Sequence, residues 1–369
     1  MRYDETDTRG VHAVGVTDLT WAVGGRSRVA PMRVTTLHGP RDIRLQDGPE
    51  PTVEVPTDAL VRVVASCICG SDLWPYRGED DFTDGGTIGH ESVGVVEELG
   101  SEVSGFSVGD FVVVPFCHCD NTCPVCAAGM QSACQNLGFT ETGQSEYVRV
   151  TQAGGSLVRT PEHPDASMLP ALLALSDVMA TGWHAAVSAG VTKGSSAVVV
   201  GDGAVGLCGV LAAREMGAER IIAMSRHEPR QAVARQFGAT HVIEQRGKEG
   251  TAAVRELTDG IGADAVLECV GTHDAMRTAV SSARPGGGVG FVGVPHGVEI
   301  PVRSMFGRNV ALQGGVAPVR KYLPELMERV LSGSLDPSPV FDLTLPLEDV
   351  AEGYRAMDER RAIKVLLEP

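Results

Sequence analysis

The stretch SAVVVGDGAVGLCGVLAAREM, residues 196–216, decides the fold. Ser196–Val200 is a short apolar run of the kind that forms a buried strand. Gly201-Asp202-Gly203-Ala204-Val205-Gly206 follows it and opens a helical stretch that runs to Met216. The first glycine permits a tight turn, and the second lets backbone approach a pyrophosphate. The third allows close packing of helix on strand, and the helix N-terminus attracts the anion. The bare glycine pattern is a weak signal. Its setting between strand and helix makes it a dinucleotide site.

The same alternation continues downstream. Strands are expected at Arg220–Met224, His241–Glu244, Asp264–Cys269 and Gly288–Val294. Helices are expected at His227–Phe237, Gly250–Thr258 and Asp274–Ala283. Strands separated by helices of this length imply right-handed βαβ units, hence a doubly wound parallel sheet of Rossmann type over residues 177–315. At the end of the second strand stands Met224-Ser225-Arg226-His227. A site for NAD usually places an acid there, on the ribose 2′-hydroxyl. A hydroxyl and a guanidinium stand there instead, and Ser225 with Arg226 suits a 2′-phosphate. NADP(H) is therefore favoured over NAD(H).

Upstream the texture is different. Short β runs such as Ala59–Ala65, Ser92–Leu99 and Asp110–Pro115 are punctuated by Gly94, Gly100, Gly105 and Gly109. This predicts a mostly β, barrel-like domain over residues 32–176, with a Cys-rich lobe inserted after Pro115. The tail, residues 316–369, is expected to return to that domain through a helix at Tyr322–Leu331, the strand-like FDLTLPL, a helix near Val350–Met357 and a last strand IKVLL. Residues 1–31 lack clear periodicity and read as a poorly ordered extension, and a second start, MRVTTLHGP, begins at Met32.

Composition narrows the partners. The formal charge is −16, which makes nucleic acid a poor partner yet leaves room for a local basic pocket that takes a small phosphorylated ligand. No run approaches the roughly 20 apolar residues that a bilayer-spanning helix needs. Seven of the nine cysteines fall between Cys67 and Cys134. In a large chain whose first residues carry acids where a signal peptide would carry bases, these read as reduced thiols in a cytosol, some of them metal ligands.

Cys69-Gly70-Ser71-Asp72 follows a strand, and Gly89-His90-Glu91 comes some twenty residues later. Together they offer a thiolate and an imidazole, both good zinc ligands. A catalytic zinc takes three protein ligands and keeps one position open. The combination of CGSD, GHE, a Cys-rich lobe and a downstream GDGAVG resembles the zinc-dependent medium-chain dehydrogenases of the alcohol dehydrogenase type, from about Met32 to Pro369.

That resemblance implies several assignments. The β domain would be the family's GroES-like catalytic domain. Asp177, in LSDVMATGWH, would stand where the third catalytic zinc ligand lies, completing Cys69 and His90. Asp72 would orient the His90 imidazole, and Glu91 would approach the metal from its open side. The family's second, structural zinc is held by four cysteines. Cys123, Cys126 and Cys134 match three of those places, and Asp120 stands at the first, with Cys119 or Cys117 as alternatives. Ser71 would take the proton of the substrate hydroxyl. Many relatives carry a relay histidine five residues after the first cysteine ligand. This chain has Trp74 there, either a pocket wall or a sign that the relay runs through the ribose or Tyr76. The nicotinamide is expected near Val270, Val292 and Val294, and Lys364 is expected on a cofactor phosphate.

The implied activity is reversible oxidation of an alcohol to an aldehyde or ketone by a homodimer or homotetramer. A polyol, formaldehyde or amino-alcohol dehydrogenase on the same frame is the nearest alternative. A zinc protein that binds NADPH without turnover is the alternative from another class.

Overall fold

The computed structural model describes residues 31–369. The extension expected over residues 1–31 lies, but for Pro31, outside the described residues. Six strands form one parallel sheet in the spatial order His241–Ile243, Arg220–Met224, Ser196–Val200, Ala263–Glu268, Ala283–Phe291, Ala311–Gly314. The chain builds outward from Ser196–Val200 on one side, then crosses back to place Ala263–Glu268 on the other. Ligands bind at such a reversal, outside the carboxyl ends of the strands. In register, Val200 stands beside both Met224 and Glu268, so these ends face one common crevice.

The strand expected at Gly288–Val294 instead spans Ala283–Phe291. Val292, Gly293 and Val294 therefore lie past its end, in the loop over the crevice. Gly288 and Gly290 are required on this strand because the helix Val178–Ala189 crosses it closely. A Cβ at Gly290 would stand 2.1 Å from the Ala185 carbonyl oxygen. That helix is buried on almost every side, which removes the amphipathic stripe by which a sequence announces a helix.

The second main sheet runs Val158–Arg159, Phe111–Val114, Ser92–Leu99, Ala59–Cys67, Lys364–Glu368, Phe341–Pro346, with Tyr147–Val150 also on Ala59–Cys67. Its pairings are antiparallel except the last, where Phe341–Pro346 runs parallel to Lys364–Glu368. The tail thus returns to the first part of the chain, with Leu366 opposite Cys67. The largest apolar cluster runs from Phe111 and Val113 through Leu172, Leu175 and Met179 to Val199 and Leu267. Each such buried side chain contributes about 1.5–3 kcal/mol relative to exposure. This shared core takes side chains from both sheets and so joins them. Among the described residues no single helix is long and apolar enough to cross a membrane.

Candidate active site

Three chain segments converge between the sheets. Cys69 lies just past the strand Ala59–Cys67, where Ile68 N–H donates to the Val365 carbonyl and fixes the strand's exit. His90 stands just before the strand Ser92–Leu99, after Gly89 in the left-handed region at φ +93°. A Cβ at Gly89 would stand 2.4 Å from Gln144 Cγ, so glycine is needed there on both counts. Asp177 is the residue immediately before the helix Val178–Ala189. One ligand atom from each of Cys69, His90, Glu91 and Asp177 lies within 4.8 Å of the others.

The ligand orientations are set by named contacts. His90 Nδ1 stands 3.3 Å from Asp72 Oδ1, and its Nε2 stands 3.4 Å from Asp177 Oδ2. Cys69 Sγ donates to the same Asp177 oxygen at 3.4 Å, and Thr181 Oγ1 donates to Asp177 Oδ1 at 2.5 Å. Asp72 Oδ2 accepts from the Cys69 backbone N–H at 2.9 Å and from Gln144 Nε2 at 3.2 Å. Gln144 Oε1 in turn accepts from the buried Tyr354 hydroxyl at 3.1 Å. Gln144 and Tyr354 thus brace the cluster. Neither stands out in the sequence, because a lone Gln in a loop and a Tyr in a helix carry no spacing signal.

The electrostatics fit a dication. Burial, then the Asp177 and Glu91 carboxylates, push the Cys69 thiol up to about 11. Burial alone would pull the His90 ring toward neutrality, but Asp72 and Cys69 outweigh it and its pKa is raised. Burial also raises Glu91, partly offset by Lys364. Glu91 Oε2 is buried with no hydrogen-bond partner. Thiol, imidazole and carboxylate are zinc donors, and a divalent cation among them would offset the crowded negative charge. The residues present therefore fit a zinc ion.

The expectation for Lys364 is corrected. Its ammonium is buried and donates to Glu91 Oε1 at 2.6 Å and to the Ile68 carbonyl at 3.2 Å. Its partner here is the carboxylate beside the metal cluster rather than a cofactor phosphate. Tyr76 is corrected as well. Its ring is buried with Leu37, Leu73 and Tyr354, which suits a core residue rather than a proton relay. Trp74 instead stacks on His296 at 3.7 Å between centroids. Ser71 lies half-buried on the turn between Cys69 and Trp74.

The Cys-rich lobe forms a second cluster of Asp120, Cys123, Cys126 and Cys134. Backbone N–H groups of Cys126, Asp120 and Asn136 donate to sulfur at 3.3–3.4 Å. The Thr122 and Cys123 N–H groups and Asn136 Nδ2 hold the Asp120 carboxyl well below the usual range. Cys117 and Cys119 are turned elsewhere, toward the Ala317 and Gly155 carbonyls.

At the glycine turn, Gly201 has φ +118° and Gly203 caps the helix Ala204–Glu215. A Cβ at Gly206 would stand 2.1 Å from the Gly201 carbonyl oxygen, which explains the third glycine. Ser225 departs from expectation. It is fully buried, and its hydroxyl donates to Asp202 Oδ2 at 2.8 Å. Arg226 instead lines a cavity of about 1080 Å³ together with Arg230, Arg246, Lys248, Arg255 and Arg360. Val270 also lines it, whereas Val292 and Val294 lie on the neighbouring loop.

A parallel dinucleotide sheet facing a buried thiol–imidazole–carboxylate cluster defines a metal-dependent oxidoreductase. Residues 55–162 match the alcohol dehydrogenase GroES-like domain family, and residues 204–332 match the zinc-binding dehydrogenase family. The chain belongs to the zinc-dependent medium-chain dehydrogenases and is an oxidoreductase of the alcohol dehydrogenase type. It is 32% identical over 349 residues to zinc-type alcohol dehydrogenase B of Aspergillus flavus, covering 91% of this chain and 81% of that protein. The alcohol dehydrogenase of Thermus sp. ATN1 superposes with a TM-score of 0.84 at 31% identity, covering 91% of this chain and 99% of that one. A Sinorhizobium meliloti 1021 protein solved bound to NADP superposes with a TM-score of 0.79 at 25% identity, covering 92% and 100%.

Proposed function

We propose that the chain oxidises a small alcohol reversibly with NADP, at a zinc held by Cys69, His90 and Asp177. A bound zinc supplies a Lewis acid that polarises the substrate oxygen, and the nicotinamide supplies the hydride acceptor. The chain's own part is positional and electrostatic. Asp72 accepts from His90 Nδ1 and so turns Nε2 toward the cluster. Lys364 balances Glu91 at 2.6 Å. Ser71 Oγ would accept the substrate hydroxyl proton while passing its own on through the cofactor ribose to water. Trp74 cannot carry it further, because indole nitrogen only donates. Asp120, Cys123, Cys126 and Cys134 would hold a second zinc with a structural role.

The convergence of Cys69, His90 and Asp177 within 4.8 Å carries the reading. The NADP assignment is supported by the cations gathered in one cavity of a chain whose formal charge is −16. It is also supported by the NADP held in the Sinorhizobium relative. Nine free cysteines are in keeping with a cytosolic setting. Phe306, 85% exposed beside exposed Val302, supports self-association as a homodimer or homotetramer.

A metal count joined to turnover of aliphatic and aromatic alcohols, with and without chelator, tests the assignment. Two zinc ions per chain and chelator-sensitive oxidation are expected. Bound zinc and cofactor without turnover would select the non-catalytic reading. Arg226→Ala should raise KM for NADP about tenfold or more, as loss of a charged hydrogen bond does, and raise KM for NAD far less. Equal changes would remove the NADP assignment.

A further inference from the structure

We propose that the site for the cofactor's 2′-phosphate is shared between the two parts of the molecule, with Arg360 closing it from the catalytic side. The inference rests on the NADP reading and adds a residue that the glycine-turn signature does not contain.

The cavity beyond the ends of Val200 and Met224 is lined mainly by the parallel-sheet unit, including Arg226 and Arg246. Arg360 also lines it, although it belongs to the turn after the helix Val350–Asp358, which packs with the last strands of the other sheet. Its backbone sits at φ +59°, a left-handed conformation that a non-glycine residue adopts at a cost. The turn is held there by Arg360 N–H donating to the Met357 carbonyl. The two sides already touch at this point. Arg360 Nη1 lies 3.2 Å from His227 Nε2, and Arg230 Nη2 donates to the Ala362 carbonyl at 3.2 Å.

Charge distinguishes these arginines from their neighbours. Arg361 is paired with Glu352 and Glu359, and Arg230 faces Asp202 at 3.7 Å. Among the described residues no ion pair joins Arg226, Arg246 or Arg360 to a carboxylate. Among the described residues Arg246 donates only to backbone carbonyls, among them Met224 at 3.1 Å. Its pKa is lowered by burial and then by the like charges of Arg226 and Arg360, partly offset by Asp202. Asp202 and Asp274 line the same cavity, but neither is ion-paired to these three among the described residues, and guanidinium groups gathered on Arg246 in this way form a site for a dianion, since forked N–H groups match phosphate oxygens. A 2′-phosphate there relieves the repulsion and ties Arg360 to Arg226 across the cleft.

The test uses cofactor fragments on the intact protein, so turnover is not needed. Calorimetry measures Kd for 2′,5′-ADP and for 5′-AMP with the wild type, Arg360→Ala, Arg360→Lys and Arg226→Ala. Arg360→Ala is expected to weaken 2′,5′-ADP about tenfold and 5′-AMP less than twofold, with Arg360→Lys recovering part of the loss. If Arg360→Ala leaves 2′,5′-ADP within twofold while Arg226→Ala weakens it, the shared site is overturned and the NADP reading stands. If the wild type binds 5′-AMP as tightly as 2′,5′-ADP, the NADP reading itself fails. Equal weakening of both fragments by Arg360→Ala would show a general structural role and would also overturn the proposal.

Discussion

The imidazole of His296 lies flat on the indole of Trp74, with 12° between the ring planes. His296 belongs to the loop beyond the strand Ala283–Phe291, and Trp74 to the short helix Leu73–Arg77 after Cys69. Nδ1 of the imidazole faces the Val294 carbonyl at 2.9 Å, and Nε2 faces Asp80 at 3.6 Å. The stack therefore joins the segment after Cys69 to the loop that follows the strand Ala283–Phe291. An aromatic pair of this kind contributes about 0.5–1.5 kcal/mol. His296→Ala should lower kcat/KM roughly two- to tenfold with unchanged zinc content. It should also change Trp74 emission in a background where Trp21 and Trp183 are Phe. Unchanged emission would mean that the two rings do not stack in solution.

Asp177→Ala should abolish turnover and lower the zinc count while dinucleotide binding survives. The substitution removes one ligand and strands Thr181 Oγ1, but it leaves the glycine turn untouched. Full activity in that variant would take Asp177 out of the ligand set.

Cys126→Ser should lower the melting temperature and release one zinc. The lobe's four donors staple a loop whose own cluster is little more than its cysteines. An unchanged melting temperature together with two retained zinc ions would dismiss the stapling role.

His184 makes a pH prediction. Burial and then Lys321 lower its pKa, and its Nδ1 lies 3.0 Å from the Tyr322 hydroxyl. The unfolded chain takes up this proton near pH 6.5, while the folded chain resists it. Stability from this group is thus present above about pH 6.5 and declines as pH falls below it. His184→Phe should show a shallower loss of melting temperature between pH 7 and pH 5 than the wild type. Parallel curves would contradict this.

The parallel unit was legible because each buried strand is a short apolar run closed by glycine or a polar turn, as at Val200-Gly201. Cys69 and His90 were legible by type and place after and before strands. Asp177 came only through family resemblance, since nothing in LSDVMATGWH marks a ligand. Single polar residues whose work depends on a distant partner stayed hidden, among them Gln144, Tyr354 and Asp202. Ser225 and Lys364 were visible, but the sequence could not show that Asp202 and Glu91 occupy them. The helix Val178–Ala189 was obscured by burial on nearly all sides.

The strand Lys364–Glu368 lies inside its sheet, between Ala59–Cys67 and Phe341–Pro346. Lys364 is 296 positions from Ile68, whose carbonyl its ammonium holds. During synthesis the parallel unit can fold while it emerges. The cradle around Cys69 must wait for the strand that carries Lys364, so a chain interrupted before it holds a finished nucleotide fold and a half-built metal pocket.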